Sequence, residues 1–147
     1  MHEHRTRRKV EFADTDMSGI AHFARFFVFM ETAEHEFLNA LGGTPGIYHD
    51  AEGRLIGWPR VAASCEFLSA LRYGDEVEIR VRVLRKGRSS LTFGFDLSRA
   101  GKPVARGKFT TVCCVLDAPG GLEPIPIPPW IAEQIEEAAE PTAAHRS

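Results

Sequence analysis

The chain has 147 residues, 44% of them hydrophobic and 26% charged, and a formal net charge of −2. That describes one globular domain of ordinary composition, with no excess of charge to hold nucleic acid or an anionic membrane surface. No apolar run approaches the roughly 18 residues of a membrane span, and no signal-peptide core follows the basic start M-H-E-H-R-T-R-R-K, so the cytoplasm is the expected compartment. Cys65, Cys113 and Cys114 are odd in number and form no C-x-x-C. They read as reduced thiols in or near the core. The six histidines show no ligand spacing, so no metal is expected.

In chain order, residues 5–12 read as a first strand, with Val10 and Phe12 on one face. The acidic block of Asp14, Asp16 and Gly19 follows. Residues 20–41 contain neither Pro nor Gly, and Phe23, Phe26, Phe27, Met30, Ala33, Phe37, Leu38 and Leu41 recur at steps of three and four. This predicts a helix of about 20 residues and roughly 30 Å, ended by Gly42-Gly43 and buried along its aromatic stripe. Glu34 interrupts the stripe, which asks for a charge partner, a pocket or a protein partner there. Val28 and Phe29 fall outside it, as scattered surface residues or as a subunit contact. A carboxylate just before a helix start either caps the helix or faces a substrate together with its free N–H groups. The spacing does not choose between these.

After a turn-rich connector, residues 55–68 read as a second strand, with Val61, Ala63, Cys65 and Phe67 on one face and Trp58-Pro59 at its start. Small Ala62 and Ala63 beside large Trp58 and Phe67 suit either a substrate pocket, with Trp58 as a contact, or plain core packing. Val77, Ile79, Val81 and Val83 alternate with charged residues, Leu91, Phe93, Phe95 and Leu97 repeat the pattern, and residues 105–115 give a less regular fifth strand. Connectors this short allow only antiparallel pairing. The expected fold is therefore α+β, a curved antiparallel sheet of about five strands wrapped around one long helix. Residues 118–129 read as irregular and residues 130–139 as a short acidic helix. That makes a single domain over residues 1–139 and a disordered tail over 140–147. The segment L-R-K-G-R-S-S, with Arg85, Lys86, Arg88, Ser89 and Ser90, reads either as a phosphate cradle or as a solvated hairpin turn.

The stretch E-F-A-D-T-D-M-S-G-I-A-H-F, followed by an aromatic helix carrying Glu31, resembles the opening of the 4-hydroxybenzoyl-CoA thioesterase family of hotdog fold. The resemblance runs from about residue 8 to about residue 130; its acidic block is the specific part, and the later strands match in pattern only. It implies that Asp16 is the catalytic carboxylate and that the backbone N–H of Phe23 polarises the thioester carbonyl. Gly19 and His22 are read as substrate contacts beside them, and the resemblance implies nucleotide contacts from Arg88 and Ser90, with Ser89 next to these. Where relatives carry Tyr, or an aromatic followed by His or Tyr, this chain reads His22-Phe23, a change that a backbone role tolerates.

A thiol leaves without a strong acid, so one carboxylate and a helix N-terminus suffice for hydrolysis, Asp16 either attacking directly or activating water. The expected substrate is an acyl-CoA or acyl-carrier-protein thioester, with no resident cofactor because coenzyme A is part of the substrate. The expected assembly is a homodimer or homotetramer with the pocket between protomers. A hotdog hydratase or dehydratase using His22, and a non-catalytic acyl-CoA-binding protein, are the alternatives.

Overall fold

The computed structural model describes residues 3–42 and 46–138, so the expected 140–147 tail lies outside the described residues. The elements are β1 (Glu3–Lys9), α1 (Phe23–Ala40), β2 (Tyr48–His49), β3 (Leu55–Gly57), β4 (Arg60–Phe67) and β5 (Glu76–Lys86). They continue with β6 (Ser90–Arg99), β7 (Lys102–Val112), β8 (Cys114–Ala118), β9 (Gly121–Pro124) and α2 (Pro129–Ala132). A 3-10 turn, Phe12–Asp14, separates β1 from α1. The main sheet has the order β1-β5-β6-β7-β4, and β2-β3-β8-β9 form a smaller sheet. All the pairings within them are antiparallel.

The alternating strands behave as read. Ile79 faces Leu97, Val81 faces Phe95 and Val83 faces Phe93, and all six are buried. Upon that face α1 lays Phe26, Phe29, Met30, Ala33, Phe37 and Leu38. At Gly107 of β7 a Cβ would lie 2.1 Å from Met30 Sδ, so a larger residue there would have to displace the Met30 side chain. A helix embraced by one curved antiparallel sheet is the hotdog arrangement.

Several details differ from the sequence reading. Strand β1 ends at Lys9, and Phe12 turns out to solvent while Val10 is buried. Helix α1 starts at Phe23, because Ile20 and Ala21 pair in bridges to Arg72 and Thr15. Phe29 is fully buried because the guanidinium of Arg8 on β1 covers its ring at 4.7 Å. Phe23, by contrast, is exposed. The strand expected over residues 55–68 breaks at Trp58-Pro59 into β3 and β4, which join different sheets. A bulge between Arg60 and Ala62 turns Val61 out, while Ala63, Cys65 and Phe67 oppose Phe109, Gly107 and Ala105. The fifth strand likewise splits at Cys113 into β7 and β8, β9 lies in the stretch read as irregular, and α2 is only Pro129–Ala132.

Glu34 is buried in the helix face and bonded through both oxygens to Arg60 Nη2, at 3.3 Å each. The same guanidinium holds Glu31 at 2.9 Å and lies 4.8 Å over the Phe109 ring. Burial pushes the Glu34 carboxyl up to about 7, against the pull of Arg60. The folded state therefore holds this proton more tightly than the unfolded chain. Stability falls as pH rises from about 4.5 to about 7 and is level above that. Glu34→Gln should remove this loss, flattening the slope between pH 5 and pH 8 by about 3 kcal/mol in urea unfolding.

Candidate active site

After β1 the chain is fastened to the turn before β5, with Val10 N–H donating to Asp75 O at 2.8 Å and Gly74 N–H donating to Val10 O at 2.9 Å. Asp14 then closes the 3-10 turn from the inside. It is fully buried, and its Oδ2 accepts the Glu11 N–H at 2.8 Å. Its Oδ1 accepts Arg25 Nε at 2.8 Å and lies 2.7 Å from Arg25 Nη2, with Arg8 Nη2 at 3.9 Å. Its backbone carbonyl accepts the His22 N–H at 2.8 Å. Asp14 is the structural carboxylate of the pair, joining β1, the turn and α1.

Asp16 points the other way, into solvent, on a tight turn closed by Gly19 N–H to Asp16 O at 3.0 Å. Gly19 has φ +80°, a conformation that favours glycine. The Ser18 N–H and hydroxyl both donate to Asp16 Oδ1, the N–H at 2.8 Å. The Ser18 hydroxyl first, then the Ser18 N–H and the nearby His22, hold the Asp16 carboxyl below its usual range. Oδ2 has no partner among the described residues.

The turn leads straight into the start of α1. His22 is the N-cap, with extended backbone, and its Nδ1 accepts the Ala24 N–H at 3.2 Å. The Phe23 N–H has no acceptor among the described residues. An exposed carboxylate with one open oxygen thus stands on the turn that leads into an unsatisfied donor at the positive end of a helix dipole. The Phe23 ring lies 6.4 Å from that of Phe67 at the end of β4, edge to face.

So Asp16, Gly19, His22 and Phe23 come together as read. Trp58, Arg88, Ser89 and Ser90 stand elsewhere in the same chain. Phe67 meets the start of α1, whereas Arg60 meets Glu31 and Glu34 further along, so β4 runs antiparallel to α1 and Trp58 lies at its far end. The basic hairpin closes the opposite end of β5, about 35 Å of strand away from the Asp75 end. There Lys86 is committed to structure, its Nζ donating to Ala132 O at 3.0 Å and Ile135 O at 2.9 Å, while Arg85 and Arg88 are exposed. The sequence reading missed Ser18 and Arg25. The D-x-S pattern of an Asx turn signals the first; nothing short of the fold signals the second.

This is the architecture of a hotdog enzyme of thioester chemistry, with its acidic turn at the N-terminus of the central helix. The sequence pattern of the thioesterase-like superfamily matches residues 10–135, and the chain belongs to that superfamily, a family of thioester hydrolases. Among its relatives, the 1,4-dihydroxy-2-naphthoyl-CoA hydrolase of Thermosynechococcus vestitus is 28% identical over 136 residues, covering 91% of this chain and 92% of that protein. A gentisyl-coenzyme A thioesterase of known structure is 26% identical with a TM-score of 0.77, over 90% of this chain and all of the other. A 4-hydroxybenzoyl-CoA thioesterase solved with 4-hydroxybenzoyl-CoA superposes with a TM-score of 0.80 over 92% of this chain and all of the other; at 19% identity the likeness is one of fold.

The two aspartates should separate in stability measurements. Asp14→Asn leaves Arg25 without its buried partner and should cost about 3 kcal/mol or more, whereas Asp16→Asn should stay within about 1 kcal/mol of the parent in urea unfolding.

Proposed function

We propose that the chain hydrolyses an acyl-CoA or acyl-carrier-protein thioester, with Asp16 as the reacting carboxylate and the Phe23 N–H as the oxyanion donor. The observation that carries this reading is the pairing of an open, ionised Asp16 Oδ2 with an uncommitted N–H at the start of α1. The thioester carbonyl oxygen lies against the Phe23 N–H and the charge growing on it is stabilised there. Asp16 Oδ2 either adds to the carbonyl carbon, giving a mixed anhydride that water then cleaves, or takes a proton from the water that adds. In both cases the C–S bond breaks, the thiol departs with a proton and the carboxylic acid remains. His22 as capped gives its Nδ1 lone pair to Ala24, which suits hydrolysis better than a hydratase reaction in which that nitrogen would be the base.

A protomer alone leaves the site open, and several exposed apolar side chains belong to the segments that build this end of the fold, among them Phe12, Met17, Phe23, Phe67 and Tyr73. Strand β4, at the sheet edge, is exposed along most of its length. A second copy laid along β4 would cover both and bring Trp58 and the Arg88, Ser89 and Ser90 hairpin of one protomer toward Asp16 of the other. The proposed working unit is therefore a homodimer or a homotetramer built from it. The three free cysteines, with Cys65 and Cys113 raised to about 11 by burial, suit the reducing cytoplasm.

Release of free thiol from a panel of acyl-CoA esters tests the reading. Asp16→Asn, folded and melting like the parent, should lose about 10²–10⁴ in turnover; near-parental hydrolysis by that variant would sink the assignment. Light scattering at assay concentration should find a dimer or larger, and Ala62→Arg on β4 should shift it toward monomer with loss of activity. A fully active 16.3 kDa parent monomer would refute the shared site.

A further inference from the structure

Helix N-caps are normally Ser, Thr, Asp or Asn, whose oxygens accept a hydrogen bond at any ordinary pH. Here the cap is an imidazole nitrogen. An imidazole nitrogen accepts only while unprotonated, so Nδ1 of His22 caps Ala24 only in the neutral ring that carries its proton on Nε2. The cap and the imidazolium charge exclude one another. The capping residue is also the one whose carbonyl and following N–H open the helix: His22 O accepts the Arg25 N–H at 2.9 Å, and the next N–H is that of Phe23. The turn that fixes the Phe23 donor therefore depends on the protonation of one ring.

We propose that His22 is a positioning residue for the oxyanion donor: the neutral ring caps α1 and holds the Phe23 N–H in place, and protonation of the ring releases the cap. This rests on the reading of Phe23 given above. The charged groups around His22 favour release once the proton arrives. Asp16 on the preceding turn attracts the imidazolium, and the buried Asp14 carboxylate stands behind the backbone that His22 bonds, neutralised by Arg25 and Arg8. Protonated His22 swings from Ala24 toward Asp16, so the donor loses its orientation while the carboxylate gains a competing partner.

The consequence is an acid limb in the rate that does not belong to Asp16. Asp16 is held below the ordinary carboxylate range, so its own protonation belongs to a limb below that range. An acid limb above that range needs another group: the His22 cap of this proposal, or Glu34, which lies more than three turns along the helix and titrates near 7. Substitution separates the two, because Asn is a good cap that does not titrate.

The test is the pH profile of kcat/KM for the full chain, His22→Ala and His22→Asn, beside a long-range 15N spectrum of the wild-type imidazole. His22→Ala should lose tenfold or more at alkaline pH, and His22→Asn should recover most of that loss and lack the mild acid limb. The spectrum should show an unprotonated Nδ1 at alkaline pH and its protonation across the same limb. A His22→Asn profile with the parental acid limb, or a ring that carries its proton on Nδ1 at alkaline pH, overturns the proposal. Should no thioester release thiol, the functional reading fails, and the tautomer together with the thermal stability of His22→Ala against His22→Asn still decides the cap.

Discussion

The position of the whole site rests on one buried charge. A carboxylate withdrawn from water is tolerated only when its lone pairs are filled, and Asp14 fills them from three parts of the chain: Arg8 on β1, Glu11 in the turn and Arg25 on α1. Those partners lie before and after the Asp16 turn, so satisfying Asp14 folds the turn between them into a fixed loop at the start of the helix. Asp16 can then stand in solvent with only Ser18 holding it and still keep its place. The immobile charge lends its rigidity to the exposed one two residues away.

The opposite wall is set by steric fit. Gly107 lets Met30 touch the backbone of β7, so α1 sits deep in the sheet and the neighbouring aromatic side chains can meet. Phe37 meets Phe93 at 5.7 Å, and Phe95 meets Phe109 at 5.0 Å. Depth has an electrostatic cost, because Glu34 is carried in with the helix. Arg60 answers it from the edge strand while also serving Glu31, one cation between two carboxylates. That arithmetic leaves Glu34 holding its proton far above the usual carboxylate range.

Much of this was legible in the chain. Strands β5 and β6 announce themselves by strict alternation, since a sheet with one buried face has no other way to be written. The helix announces itself by its aromatic period. The smaller sheet did not, because β2 and β3 have two and three residues, too few for any period to show. Its strands are also cut from longer apolar runs at Pro59 and Cys113, where backbone bonds pass to other partners: Val112 N–H to Pro59 O, and Cys113 N–H to Ser89 O. At the candidate site the sequence put forward Asp16, Gly19, His22 and Phe23; spacing left Asp14 and Asp16 equivalent, and the family resemblance favoured Asp16. Burial separates them, and burial is decided by Arg25, a residue whose role is invisible until the helix is placed against β1. Phe29 was misplaced for a related reason: a helix wrapped by a curved sheet buries more than one stripe.

Strand β4 has a consequence for the life of the newly made chain. Residues 61–65, V-A-A-S-C, carry no charge, and they run along an open edge whose backbone groups on one side await another strand. Such an edge is a template for indiscriminate strand addition, and crowded, freshly synthesised copies are the ones most exposed to it. Arg60 and Glu66 stand at its two ends. They act as gatekeepers, charged residues that bound the uncharged run and limit apolar strand addition to the five residues between them.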